Sequence, residues 1–325
     1  MTEATMRVGF AGPHVTLQDA GRPGLMRYGV PASGPMDRHS LAIANAALGN
    51  PVGQAGIDIS LGGVALHCTH GAVTLALVGG GFIAEVAGRK FGSWCVFTLG
   101  QGEALTIRPG PWGSWASLAV AGRLVADPWL GSLATHGASG FGGGRLTTGQ
   151  RLTIADAAVR VACEGPVPCP VWARPRHLLR CVMGPQDRFF TPEALANFTS
   201  ARFAVTDAVD RMGVRLRGPA LPPVAALSIP SEPVMRGSVQ VSGDGAMAVL
   251  LADHQTTGGY PKIATVIAPD LDGFVQCRPG DLVRFAPLSP ADAVQATRHH
   301  AQRVQAFLAR IRQLRGGAGP APEEG

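Results

Sequence analysis

Two of the rarest residue types in this 325-residue chain stand two positions apart in one loop. The chain holds 28 Lys+Arg, but only Lys90 and Lys262 are lysines, and only Tyr28 and Tyr260 are tyrosines. Tyr260 and Lys262 lie in the stretch Leu250 to Ile267, L-L-A-D-H-Q-T-T-G-G-Y-P-K-I-A-T-V-I. An amide (Gln255), two hydroxyls (Thr256, Thr257), a phenol and an ammonium crowd there around Gly258-Gly259, which permits positive φ or close backbone approach to a ligand. An ordinary connecting turn needs none of these groups. In a chain that uses arginine almost everywhere, a lysine brings a compact point charge with three rotatable donors. Lys262 is the candidate functional cation, whereas Lys90, in Gly88-Arg-Lys-Phe, reads as a hairpin charge.

The elements that must hold this loop are two apolar runs, 248–252 and 263–267, read as buried strands. Earlier in the chain, Gly21-Arg22-Pro23-Gly24 is a tight turn carrying one guanidinium, and Ser33-Gly34-Pro35-Met36-Asp37-Arg38 leads into a helix. Asp37 is placed to cap that helix, whose Leu41, Ala44, Ala47 and Leu48 recur at helical spacing before Gly49-Asn50-Pro51 stops it. Short strands follow at 57–59, 64–67, 73–78, 82–86, 95–99 and 104–107. Asp58 lies between Ile57 and Ile59, either as an inward, paired carboxylate or on the wet face of an edge strand. The proline-rich segment 164–176 marks a domain boundary. Beyond it come a strand at 178–183, a helix capped by Thr191, and further strands. Asp37-Arg38 and Asp210-Arg211 form part of a faint internal repeat, which argues for two related β-rich domains with a pocket between them. The periodicity of Val304, Phe307, Leu308, Ile311 and Leu314 predicts a helix over 289–315, packed on its own domain. The tail 316–325 reads as disordered.

Composition removes several classes. Hydrophobic content of 46% with 15% charged residues describes a core-rich globular chain. The net charge of +6 is spread out, with no basic run interleaved with aromatics, which excludes nucleic acid. The most apolar window, 73–86, is interrupted by glycine and too short to span a bilayer. The six cysteines form no C-x-x-C and no signal peptide precedes them, so they read as reduced, buried thiols of a cytoplasmic protein. His136 and His177 are isolated, and no spacing suits a metal. G-x-x-x-x-G-K-[ST], G-x-S-x-G and H-E-x-x-H are all absent.

T-L-Q-D-A-G-R-P-G, Y-G-V-P-A-S-G-P-M-D-R, D-H-Q-T-T-G-G-Y-P-K-I-A-T and R-P-G-D-L-V-R-F together resemble one family. It is the biotin-dependent carboxyltransferase / allophanate hydrolase subunit 2 family, whose stand-alone members are the C subunits of bacterial 5-oxoprolinase. The resemblance runs from about Val8 to Phe285. It implies a mainly β fold of two cyclophilin-like barrels, 1–165 and 166–288, followed by the C-terminal helix. It implies a B-type partner encoded by an adjacent gene, a further hydrolase subunit and a small-molecule amide substrate. The implied chemistry is ATP-driven opening of 5-oxoproline, with ATP in a site that is not a P-loop. The alternatives are carboxyl transfer from a biotin carried by a partner to urea or a similar amide, or a regulatory module that sequesters a kinase inhibitor. All the enzymatic options need a cation near developing negative charge. Lys262 and Arg211 are the candidate charged catalytic groups, with Asp37 and Asp210 to orient an arginine or move a proton. Arg22, Ser33, Arg38, Asp58, Gln255, Thr256, Thr257 and Tyr260 are the candidate substrate contacts. Asp58 stands where the family more often has Glu, and His254 where it more often has Arg.

Overall fold

The computed structural model describes residues 2–224 and 229–315; the tail expected to be disordered lies outside them. In the first half the strands are β1 (Glu3–Ala11), β2 (Thr16–Gln18), β3 (Gly56–Ser60), β4 (Val64–His70), β5 (Val73–Gly79), β6 (Ile83–Val86), β7 (Arg89–Gly92), β8 (Cys95–Leu99), β9 (Ala104–Arg108), β10 (Trp115–Val120), β11 (Arg123–Leu124), β12 (Arg151–Ala155) and β13 (Gly165–Pro166), with helix α1 (Arg38–Leu48). The second half has β14 (Leu178–Met183), β15 (Phe203–Val209), β16 (Gly213–Arg217), β17 (Glu232–Pro233), β18 (Ser238–Val241), β19 (Met247–Leu250), β20 (Thr257–Gly258), β21 (Lys262–Val266) and β22 (Leu282–Pro287). Its helices are α2 (Pro192–Ser200), α3 (Ala268–Phe274) and α4 (Pro290–Leu314).

The fold is mainly β. Strands of the first half form a seven-stranded sheet, β11-β12-β1-β4-β9-β6-β7, and a six-stranded sheet, β13-β8-β5-β10-β3-β2. Those of the second close into a barrel, β14-β21-β18-β19-β16-β15-β22, and β17 pairs with β20 as a separate ribbon. The changeover falls between β13 and β14, within the proline-rich segment. Alternation builds the barrel: Leu179, Cys181, Val205, Val239, Val249 and Phe285 point into one apolar core. Met36 and Trp115 of the first half join that core, so the two halves share buried surface.

α1 begins where the sequence placed it. The Ser40 amide donates to Asp37 Oδ1 at 3.0 Å, and Gly49 ends the helix at φ 74°. Nearly the whole of α1 is buried, because it packs on the broad apolar faces of β5 and β10. β10, W-A-S-L-A-V, is buried at every position, an apolar run that the glycine-rich surroundings disguised. α3 likewise hid in A-P-D-L-D-G-F, directly after an apolar strand.

α4 corrects one expectation. Val304, Phe307, Leu308 and Ile311 pack on the core of the first half, while the helix also touches α3 and β14 of the half that precedes it, and Leu314 is exposed. Trp172 meets Phe307 edge to face at 5.6 Å. No disulfide links the cysteines; Cys68, Cys163, Cys181 and Cys277 are buried, while Cys95 and Cys169 are only partly so. Burial pushes the Cys181 and Cys277 thiols up to about 12. Among the described residues, no helix is long and apolar enough to cross a membrane.

Candidate active site

The loop between β19 and β21 leaves the barrel core at Leu251 and returns to it at Lys262. Asp253 and His254 are buried, Gln255 and Thr256 are half-buried, and Thr257 and Tyr260 face solvent. Two amides cross its base: Gln255 Nε2 donates to Gln240 Oε1 at 3.0 Å, and Gln240 Nε2 donates to the Tyr260 carbonyl at 3.4 Å. A Cβ on Gly258 would lie 2.6 Å from Gln240 Nε2 and 3.2 Å from Gln255 Nε2, so the glycine is what lets both amides close on the ribbon.

Lys262 is 3% exposed. Its Nζ donates to Glu232 Oε2 at 3.2 Å and is 3.5 Å from the Pro233 carbonyl. Gln186 brackets the same residue: its Oε1 accepts from the Lys262 amide at 2.8 Å, and its backbone amide donates to the Lys262 carbonyl at 3.2 Å. Each of these contacts stays within the second half.

The other end of the loop meets the first half. Arg211, 2% exposed, donates through Nε and Nη2 to Asp253 (2.9 and 3.1 Å), through Nη1 to Asp58 (2.9 Å), and through Nη2 to the Gly34 carbonyl (2.5 Å). One guanidinium thus joins a carboxylate from each half. Burial opposes its charge, but Asp253 and Asp58 outweigh that and raise Arg211 above the ordinary arginine range. Burial also drives Asp58 up to about 6, against the pull of Arg211 and the Met36 amide. Register places Thr16, Asp58 and Ser117 side by side on one face of β2, β3 and β10. Around that face, Gln18 Oε1, Arg22 Nη1, Ser33 Oγ, Asp58 Oδ1 and Ser117 Oγ are buried with no partner among the described residues. Buried polar atoms are normally satisfied, so this set leaves hydrogen-bonding capacity unmet beside the Arg211–Asp58 pair.

A third cluster holds the start of α1 against α3. Asp272 receives the Arg38 amide at 3.0 Å, the Arg38 guanidinium at 3.4 Å and Arg236 Nη2 at 3.2 Å. Burial penalises the Asp272 charge, yet Arg38, His39 and Arg236 more than compensate and hold its carboxyl far below the usual range. Asp37, His39 and Asp272 bring ligand atoms within 4.8 Å of one another. Asp37 is already engaged by Ser40 and Gln276, and Asp272 by two arginines, so a metal would have to displace them.

A family profile described as carboxyltransferase domain, subdomain A and B, matches residues 28–287. The chain belongs to this carboxyltransferase-domain family. Its relatives include proteins named as the C subunit of 5-oxoprolinase. That of Haemophilus influenzae is 30% identical over 92% of this chain and 95% of the relative. That of Escherichia coli K12 is 31% identical over 88% and 92%. The urea amidolyase of Saccharomyces cerevisiae is 30% identical over 86% of this chain, which spans only 16% of that protein. The crystal structure of TTHA0988 superposes with a TM-score of 0.78 at 32% identity, covering 87% of this chain. This chain spans 55% of that one.

Within this family frame, the expected residues fall into separate groups. Arg211, Asp58, Gly34 and the start of the loop meet across the halves. Arg22 borders that group; its Nε and Nη2 donate to the carbonyls of Trp129, Ser132 and Ala134, and its Nη1 has no partner among the described residues. Burial lowers it from the ordinary arginine range, with Asp19 and Asp253 pulling the other way. Asp37 is a cap: its Oδ2 accepts from Ser40 Oγ at 2.6 Å and from Gln276 Nε2 at 2.7 Å. Asp210 is exposed and accepts the Met212 and Gly213 amides at 2.8 and 3.0 Å, shaping the β15–β16 turn. Arg38 serves Asp272, with its side chain half exposed. Sequence reasoning missed Gln186, Glu232, Arg236, Gln240, Asp253, Asp272 and Gln276 as partners. Only Asp253 carried a signal, by opening the polar run of the loop.

Proposed function

We propose that this chain is the C component of an ATP-dependent 5-oxoprolinase, a hetero-oligomer that opens the lactam 5-oxoproline to glutamate in the cytoplasm. The observation that carries it is a buried lysine at the end of a loop dense in donors, in a chain that aligns over nearly the full length of stand-alone relatives named for that component. Attack on a lactam carbonyl moves negative charge onto its oxygen. Lys262 supplies the compensating cation, and Gln255, Thr256, Thr257 and Tyr260 orient the ring. Arg211 with Asp58 and Asp253 fixes the loop's first end against the first half. We take 1–165 and 166–288 as the two domains whose junction this pairing closes. Six free thiols suit the cytoplasmic assignment.

The residues gathered here do not fit a triphosphate. Arg211 is committed to two carboxylates and a carbonyl and Arg22 to backbone carbonyls through Nε and Nη2, so of the cations gathered here only Lys262 has a readily exchanged partner, too little charge for a triphosphate. We therefore assign ATP to the B-type partner, to the further hydrolase subunit, or to a surface that one of them completes. A second function is favoured by the urea amidolyase relative and the family description: carboxyl transfer to urea from biotin carried on a partner.

Co-expression with neighbouring gene products decides between them. Phosphate release that needs ATP, 5-oxoproline and this chain supports the first. Carboxylation of urea by a biotin-bearing partner set, with no response to 5-oxoproline, replaces it with the second. Stable partner binding without either activity leaves a regulatory module.

A further inference from the structure

Lys262 is a buried cation whose counter-ion faces water. In the Lys262–Glu232 pair the lysine side chain is 4% exposed and the glutamate 46%. Glu232 stands on β17, which pairs with β20 through Glu232↔Gly258 and Pro233↔Thr257, with the Ile229 amide donating to the Gly259 carbonyl at 2.9 Å and the Val234 amide to the Thr256 carbonyl at 3.1 Å on either side. Gln186, itself buried, reaches both members. Its Nε2 donates to Glu232 Oε2 at 2.6 Å, while its Oε1 and backbone amide hold the Lys262 backbone.

We propose that Glu232 is a resident counter-ion occupying the seat of a ligand carboxylate, and that Gln186 is the positioning residue that keeps the Lys262 ammonium aimed at that seat. The ligand class is a small amide bearing its own carboxylate. This deepens the function above and rests on Lys262 being its charged group. A buried ammonium needs a partner at rest, because an uncompensated buried charge is strongly unfavourable. Glu232 can leave for water at little cost, since its side chain is half exposed and only the carboxylate has to swing away while the backbone pairing stays. A ligand carboxylate then exchanges one charge-assisted hydrogen bond for another and inherits the Gln186 donor. A neutral amide such as urea offers only a weaker acceptor, leaves the ammonium underpaired and cannot displace Glu232.

The chain provides its own internal standard, because its other lysine, Lys90, is 60% exposed on the β6–β7 hairpin. Full-length protein is treated with an amine-acylating reagent and the Lys262/Lys90 labelling ratio is read by peptide mass spectrometry. Glu232→Gln should raise the ratio roughly tenfold, since it removes the charged partner that covers the ammonium. Added 5-oxoproline should return it towards wild type, and urea at the same concentration should not. In the assembled complex Glu232→Gln should lower the KM for 5-oxoproline more than it changes kcat. Gln186→Leu, which keeps size but loses both polar contacts, should lower kcat. Glu232→Asp, which withdraws the carboxylate by one methylene, should also raise the ratio and serves if the glutamine variant unfolds. Folded variants with an unchanged ratio, or equal protection by urea and 5-oxoproline, would overturn the proposal. A failure of the underlying function shows separately: turnover would survive Lys262→Met whatever the labelling.

Discussion

At the scale of single residues, Lys262 and Arg211 are two solutions to burying a cation. Arg211 uses the fork of its guanidinium to satisfy two carboxylates and a carbonyl at once. Lys262 has one half-exposed carboxylate and remains available. Lys262→Met should therefore fold nearly as well as wild type, because Glu232 can turn to water. Lys262→Arg should cost about 1–3 kcal/mol, because a wider planar group must fit a packed site. Turnover of the assembled complex should fall roughly a hundredfold in both, the scale of losing one preorganised charge-stabilising donor. Saturating-substrate assays beside urea unfolding curves check this, and near wild-type turnover in both would remove Lys262 from the mechanism. Asp58 gives a pH prediction. Burial raises it from 3.8 to about 6 in the folded chain, so the native state binds a proton that the unfolded chain releases. Its contribution to stability is most favourable below about 4 and declines as pH rises through about 6, by an order of ~3 kcal/mol. Asp58→Asn should flatten the stability curve across that window, measured as the urea midpoint between pH 4 and 7.

At the scale of elements, the start of α1 is a cap before it is anything chemical. Asp37 satisfies the Ser40 amide and hydroxyl and receives Gln276. Asparagine caps helices as well as aspartate does, whereas alanine loses about 0.5–2 kcal/mol. Here, however, Asp37→Asn keeps the cap oxygen but turns an N–H towards the Gln276 Nε2 donor, so it should cost about 1–3 kcal/mol while the folded complex keeps its turnover, and Asp37→Ala should also lose stability. If folded Asp37→Asn protein loses turnover a hundredfold, the carboxylate has a chemical role beyond the cap.

At the scale of the molecule, Gln276 ties the halves together. It is fully buried at the end of α3, accepts the Ser114 and Trp115 amides at 3.0 and 3.1 Å, and donates to Asp37 and to the Trp115 carbonyl. A Cβ on Gly113 would approach its Oε1 to 2.8 Å, so that glycine, at φ +79°, is needed to admit the amide. Gln276→Ala leaves at least two buried amides unpaired and should cost about 2–4 kcal/mol. Because Met36 and Trp115 are part of the second half's core, the halves should still unfold in a single transition by both fluorescence and circular dichroism. Two separated transitions would show that the shared core couples them less than its burial implies.

Local sequence determined the parts whose causes are local. The α1 cap and its glycine stop, the Thr191 cap of α2, the strands on either side of the 251–261 loop and the long α4 all follow from spacing, capping chemistry and alternation. The singular lysine was visible because composition made it rare. Tertiary structure alone decided which groups meet, because partners far apart in sequence leave no periodic trace. Glu232 and Gln186 lie 30 and 76 positions from Lys262, and Asp58 lies 153 from Arg211. It also set Asp210 in a hairpin turn, aimed Arg22 Nε and Nη2 at backbone carbonyls, and laid α4 against both halves. An amphipathic stripe specifies that a face will be buried, but only the packed chain specifies against what.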